Sequence, residues 1–179
     1  IQKNGQHLLH LINDVLDMAK IESGRMNLQP ETFKVHEVLD EVNSITSTLA
    51  SEKNIALFIE KDSDQEVEIY ADNTRLRQVM INLLLNAAQA LQGRGRLEVT
   101  LSRASGSARI HVDDSGPGIS LEDQERVFQP FFSTKAHGEG TGLGLPLCRK
   151  LVEGQDGEIS IQKSLLGGAR LTVSLPLSE

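Results

Sequence analysis

The chain has 179 residues, 39% hydrophobic and only 3% aromatic, with no Trp, one cysteine and a formal charge of −7. That is enough chain for one good core and a small appendage. The acidic balance without a Lys/Arg run argues against a nucleic-acid surface or a polybasic membrane patch, and so few aromatic rings leave no platform for base stacking.

The lone Cys148 falls in an apolar helical pattern and reads as a buried structural thiol in a reducing compartment, which points to a cytoplasmic location. No apolar run is long enough to span a bilayer, and no signal peptide is legible. Because the chain opens inside a helical pattern without Met, a longer parent that is tethered to a membrane is compatible with it.

Residues 1–22 place Ile1, Gly5, Leu8, Ile12, Val15 and Ala19 at alternating steps of four and three, a heptad seam. A second row, Leu9 and Leu16 with Leu11 and Met18, widens that face. Such a helix needs a bundle, and dimerisation would supply one. Packing on the following domain is the alternative; Ser23-Gly24 and a polar connector through Pro30 argue against it. A second helix is predicted over Val35–Leu49, with Val35, Val38, Leu39, Val42, Ile45 and Leu49 inward. Strands are expected at Ile55–Ile59 and Val67–Tyr70.

Asp72 is placed to cap a long helix, Asn73–Leu91, with a stripe from Leu76 to Ala87. Leu97–Leu101 and Ala108–Val112 read as a hairpin through Ser105-Gly106-Ser107. A short helix follows over Leu121–Val127, capped by Ser120. Next come a polar, glycine-bearing segment, Gln129–Gly140, and a helix carrying Leu147, Leu151 and Val152. Ile159–Ile161 and Leu171–Leu175 form a last hairpin, with Gly167-Gly168 in the turn. The expected fold is a two-layer α/β sandwich: a mixed, mainly antiparallel sheet with helices on one face, preceded by one helix of a bundle.

Four features could carry chemistry. Gly138 to Leu145, containing Gly140, Thr141, Gly142, Leu143 and Gly144, places close-set glycines before a helix. Backbone free to approach a ligand and unpaired helix N–H groups suit a polyphosphate, although such glycines also make ordinary turns. Asn82 and Asn86 lie one helical turn apart in an apolar stretch, and Gln89 extends the polar strip. An Asn carbonyl is a hard ligand suited to Mg²⁺; amides satisfied by nearby backbone are the plainer reading. Asp114, Gly116, Gly118 and Ile119 end a strand with a carboxylate that can accept from an exocyclic amine and glycines that admit a flat base; the plainer reading is a capped turn. Lys135 could reach a phosphate.

Taken in order, Asn82-Leu83-Leu84-Leu85-Asn86-Ala87, Asp114-Ser115-Gly116-Pro117-Gly118-Ile119, Phe128-Gln129-Pro130-Phe131-Phe132 and Gly140-Thr141-Gly142-Leu143-Gly144-Leu145 closely resemble the four boxes of two-component sensor histidine kinases. Residues 11–17 and 20–24 look like the second helix of that family's dimerisation and histidine-phosphotransfer hairpin. The resemblance implies a partial hairpin over residues 1–24 and a catalytic ATP-binding domain over 25–179. It also implies that Asp114 reads the adenine amino group, Asn86 holds Mg²⁺, Asn82 lies near the phosphates, and Gln129–Gly140 is a lid whose Lys135 takes part in transfer. A homodimer through the bundle helix and a response-regulator receiver domain are the implied partners.

Some positions depart from the family's pattern. Gln89 stands where a lysine is common; Ala169 and Leu171 stand where a hydroxyl residue and a phenylalanine are common. His36-Glu37 lacks the rest of the acceptor box, and His7 and His10 have no adjacent glutamate, so the acceptor histidine is expected upstream of Ile1. Gyrase- and chaperone-like ATPases share the fold but carry a water-activating glutamate at the place of Asn82, which an amide cannot replace. A nucleotide-sensing dimerisation module without activity is the third reading.

Overall fold

The computed structural model describes residues 2–60, 66–134 and 140–178, with side chains from Ile12 onward. The first helix, α1, spans Gln2–Glu22. A short strand β1 (Glu31–Lys34) leads into α2 (Val35–Glu52), β2 (Ile55–Glu60), β3 (Glu68–Ala71) and the long α3 (Asn73–Ala90). The hairpin β4 (Gly95–Ala104) and β5 (Ser107–Asp114) follows, then a single turn α4 (Asp123–Arg126), α5 (Gly144–Glu153), β6 (Glu158–Lys163) and β7 (Ala169–Pro176).

Five strands form one sheet in the order β2-β4-β5-β7-β6, in which β2 pairs parallel with β4 and every other neighbour is antiparallel. Side chains alternate across a strand, so a sheet with helices on one side must be apolar on that side alone. Val99, Ile110 and Val173 are buried on the helix side, while Thr100, His111 and Thr172 stand in register on the other. There His111 bridges Ser102 Oγ at 3.2 Å and Thr172 Oγ1 at 2.9 Å, a polar surface that needs no covering layer. α2, α3 and α5 pack over the apolar face. The α3 stripe Leu76, Val79, Met80, Leu83, Leu84 and Ala87 is buried as its period predicts, and the Asp72 carboxylate accepts from the Arg75 N–H at 3.0 Å as its cap.

Four expectations need correction, three of them local. β1 was not expected: only Phe33 of its four residues is buried, so no alternation marks it, and its pairing with β3 (Glu31 with Ala71) crosses forty residues. In α2 the buried set continues from Val42 to Thr46 and Ala50, leaving Ile45 and Leu49 exposed. Thr46 can be interior because its hydroxyl donates to the Val42 carbonyl at 2.7 Å. The short helix is also tighter than Leu121–Val127, because Leu121 lies outside it at 88% exposure while Ser120 Oγ accepts from the Asp123 N–H at 3.2 Å.

The largest correction concerns α1, which packs on the rest of the chain, against α5. Gly24 and Arg25 donate back to the carbonyls of Ile21 and Lys20, turning the chain under the helix. Asp14, Asp17 and Met18 are buried, whereas Ile12 and Val15 of the seam and Leu16 of the second row face outward at 45–51% exposure. Asp17 Oδ2 accepts from Arg75 Nη1 at 3.1 Å and Gln78 Nε2 at 2.9 Å. Apolar periodicity cannot register a contact made by a carboxylate. Removing Asp17 leaves a part-buried guanidinium without this partner, so Asp17→Ala is expected to cost about 2 kcal/mol. Denaturant unfolding reads that loss, and faster amide exchange confined to 12–22 locates it. Ile1, Gly5, Leu8, Leu9, Leu11, His7 and His10 lie outside the described side chains. Among the described residues, no helix is long and apolar enough to cross a membrane.

Candidate nucleotide site

Asn82, Asn86 and Gln89 climb one face of α3 from the core to the surface: Asn82 is buried, Asn86 is half-buried and Gln89 is exposed. The Asn86 amide Nδ2 donates to the Asn82 carbonyl at 2.9 Å. The nitrogen is thereby held by backbone, and Oδ1 is the hard oxygen of this amide, the atom type that suits a cation. Among the described residues, Asn82 Nδ2 is buried without a hydrogen bond of good geometry, a costly state. Its neighbour Cys148 is buried, with the thiol pushed well up by desolvation and only partly offset by the Asn82 amide. Cys148 is therefore an inert core thiol, as its pattern predicts.

The glycine loop closes on this helix face. A Cβ on Gly144 would lie 3.1 Å from Asn86 Nδ2, so the first residue of α5 sits directly over that amide. Its N-cap, Leu143, makes no side-chain cap bond, so among the described residues no side chain caps the first N–H groups of α5, Gly144 and Leu145. Thr141 Oγ1 accepts from the Leu143 N–H at 3.3 Å and shapes the approach. Gly142 holds φ +67°, and its carbonyl accepts from the Phe131 N–H at 2.9 Å. The loop is thus laid against the Phe131-Phe132 segment, and that segment is tied down by Arg126 over the Phe132 ring at 4.4 Å. Arg149 of α5 stacks 3.6 Å over Phe128 and reaches Glu125 Oε2 at 3.2 Å, fastening α4 to α5.

Asp114 is 4% exposed at the end of β5. Its Oδ1 accepts from the Gly116 N–H at 2.8 Å and the Ala169 N–H at 3.2 Å; among the described residues Oδ2 takes no bond. Burial raises its carboxyl above the usual range, the two N–H bonds oppose the rise, and the charge of Asp113 adds to it. Gly116 packs toward the last turn of α3, a Cβ there falling 3.6 Å from the Ala90 carbonyl. On Gly168 a Cβ would lie 2.0 Å from Asp114 Oδ1, and on Gly118 3.4 Å from the Gly168 carbonyl. Ile119 packs on the core beside them. The Asp114–Gly118 turn therefore flanks the end of α3, one helical turn beyond the place where Gly144 covers Asn86.

The arrangement offers a buried acceptor for an amine at one end, bare helix N–H groups at the other, and a hard oxygen between. Gly168 and the Ala169 N–H belong to this site, although the sequence marks them only as a turn and its flank; the Gly167-Gly168 pair is the available signal. Lys135 and Gly138 lie outside the described residues. Among the described residues no group of three His, Cys, Asp or Glu could hold a metal, so a cation here would rest on Asn86 together with ligand oxygens and water, which is how Mg²⁺ is commonly bound.

Asp114→Asn keeps an oxygen for Gly116 and Ala169 but puts an N–H₂ where Oδ2 stands. An amine ligand should then bind about 10- to 100-fold more weakly, the loss of one hydrogen bond to a charged group. With its folded pKa raised, Asp114 contributes stability that is present below the unfolded carboxyl's pKa and is lost as pH rises through the folded value. Asp114→Asn should therefore melt no lower than the parent at neutral pH. Ligand affinity in the parent should fall on acidification sooner than for an ordinary carboxylate; titrations across pH check both.

Residues 71–179 match the family model described as "Histidine kinase-, DNA gyrase B-, and HSP90-like ATPase". The chain is 34% identical over 187 residues to the Autoinducer 2 sensor kinase/phosphatase LuxQ of Vibrio vulnificus, covering 98% of this chain and 22% of that protein. It thus spans about a fifth of the length of such relatives. Among solved structures, the catalytic domain of histidine kinase ThkA matches with a TM-score of 0.75 at 34% identity, over 83% of this chain and 95% of that one. ThkA in complex with response regulator protein TrrA matches with a TM-score of 0.78 at 29% identity, over 97% and 49%. Full-length ShkA in complex with AMPPNP matches with a TM-score of 0.86 at 30% identity, over 98% and 37%.

Proposed function

Because the chain belongs to the family of histidine kinase-, DNA gyrase B- and HSP90-like ATPases, as a catalytic ATP-binding domain of the sensor histidine kinase kind, we propose that it phosphorylates a histidine outside residues 1–179 for transfer to a response-regulator aspartate. The observation that carries this reading is the seat of Gly144 over Asn86, which brings the glycine loop and the start of α5 onto that amide. Asn82 argues for the kinase over the hydrolase, since its amide cannot take a proton from water.

In this reading Asp114 Oδ2 accepts from the adenine amino group, and the flat base enters beside Gly116, Gly118 and Ile119. The phosphates run along Gly140, Thr141, Gly142, Leu143 and Gly144 to the N–H groups of α5. Asn82 lies near the phosphates, and Gln89 offers an amide at the rim. Lys135, outside the described residues, would supply a positive charge to the phosphates. Mg²⁺ on Asn86 Oδ1 would neutralise phosphate charge when bound. These side chains place and neutralise, which is most of what phosphoryl transfer asks of a protein.

The receiver domain of a response regulator is the proposed partner, by analogy with the ThkA–TrrA complex. A homodimer would cover the outward stripe Ile12, Val15 and Leu16 of α1. The test joins this chain to upstream sequence carrying the acceptor histidine and supplies labelled ATP. An acid-labile phosphohistidine is expected; free phosphate released without it would favour the hydrolase.

A further inference from the structure

Asp113 and Asp114 are consecutive on β5, so their carboxylates point to opposite faces of the sheet. Both are tied to the same turn, residues 164–168 between β6 and β7. On the outer face Asp113 is 2% exposed; Arg170 Nε donates to both of its oxygens at 2.9 Å, and Ser164 Oγ donates to Oδ1 at 2.6 Å. Ser164 then closes the turn: its N–H donates to the Gly168 carbonyl at 2.9 Å, its carbonyl accepts from the Gly167 N–H at 3.1 Å, and its Oγ accepts from the Leu166 N–H at 3.1 Å. From the far side of that turn the Gly168 N–H donates to the Asp114 carbonyl at 3.1 Å and the Ala169 N–H to its Oδ1.

We infer that Ser164, held by the Asp113–Arg170 pair, is a positioning residue for recognition of the purine 6-amino group: it fixes the Gly168-Ala169 backbone against Asp114, so that Oδ1 is spent on the turn and Oδ2 is presented to the base. The inference rests on the ATP-binding reading above. A hydroxyl on the outer face thereby governs the direction of a carboxylate on the inner one. Without it the turn loses two bonds, the one to Asp113 and the one from the Leu166 N–H, and the Ala169 N–H no longer holds Oδ1 in place. Asp114 can then swing, and a hydrogen bond that depends on direction weakens while the phosphate contacts at the other end of the site persist.

The test titrates the 179-residue chain and two variants, Ser164→Ala and Arg170→Gln, with ATP and with purine ribonucleoside triphosphate, which has no 6-amino group. Arg170→Gln takes the counter-charge from the buried Asp113, so Ser164→Thr, which keeps both that charge and the hydroxyl, is the variant that guards against a failure to fold. Ser164→Ala should weaken ATP about 10-fold and leave the purine nucleotide within about 2-fold, the scale of one lost hydrogen bond, and Arg170→Gln should shift the ratio in the same direction. Ser164→Thr, which keeps the hydroxyl, should retain the preference. Equal weakening of both nucleotides with a lowered Tm, or an unchanged ratio, would overturn the inference while leaving the function standing. An unmutated chain that does not prefer ATP would remove both.

Discussion

Asn86→Ala is expected to abolish the Mg²⁺ dependence of nucleotide binding, lowering affinity for Mg·ATP by about 100-fold, the upper range for loss of support at a metal site. Its effect on ATP in a chelator should be small. The reason lies in how the amide is placed: Nδ2 is fixed on the Asn82 carbonyl with Gly144 over it, and Oδ1 is the hard oxygen on this face of α3 that suits a cation. Truncation also removes that bond and costs about 1 kcal/mol of stability, too little to unfold a domain of this size. Asn86→Asp retains a hard oxygen and should recover the Mg²⁺ dependence. Equal losses with and without metal would return Asn86 to a purely structural role. Titrations with Mg²⁺ and with EDTA separate the cases.

Gly142→Ala should be the most damaging single methyl in the loop. The residue sits at φ +67°, where a side chain costs about 1–2 kcal/mol. The new Cβ would stand 2.5 Å from the carbonyl carbon of Phe131 and 2.7 Å from the Phe132 carbonyl oxygen, both backbone atoms that cannot rotate away. Overpacking of that kind adds about 1–3 kcal/mol. Relief requires the loop to part from residues 131–132, breaking the bond between the Phe131 N–H and the Gly142 carbonyl and shifting the N-terminus of α5 off Asn86. Nucleotide affinity should fall by more than about 10-fold, and chemical denaturation should show a loss of about 2–4 kcal/mol. Affinity that survives the substitution would mean that the phosphates do not lie against this loop.

The behaviour of α1 shows how far a pattern of side-chain types reaches. Its outward face is the one that heptad spacing identifies, with Ile12, Val15 and Leu16 left uncovered. Its inward face is made by Asp14, Asp17 and Met18, and the decisive bonds run from Asp17 to Arg75 and Gln78 on α3, some sixty residues away. Carboxylates in a helix read as solvated until their partners are known. The same holds for Thr46, whose interior place depends on a bond to its own backbone, and for β1, which exists only because β3 pairs with it. The comparison with ThkA and LuxQ accords with the four ordered motifs, which were legible because each combines residue types that few other sites require at that spacing.

Residue order alone was sufficient for the α/β class, the capped α3 with its buried stripe, the two hairpins, the inert Cys148 and the family, because periodicity, turn chemistry and motif spacing are local properties of the chain. It could not say that Gly144 covers Asn86, that Gly168 and Ala169 complete the grip on Asp114, or that Ser164 and Arg170 stand behind them. Those relations join β5 to a turn fifty residues later and α3 to a helix nearly sixty residues on. Packing of backbone against backbone sets them, and glycine leaves no side chain in the sequence to announce the approach.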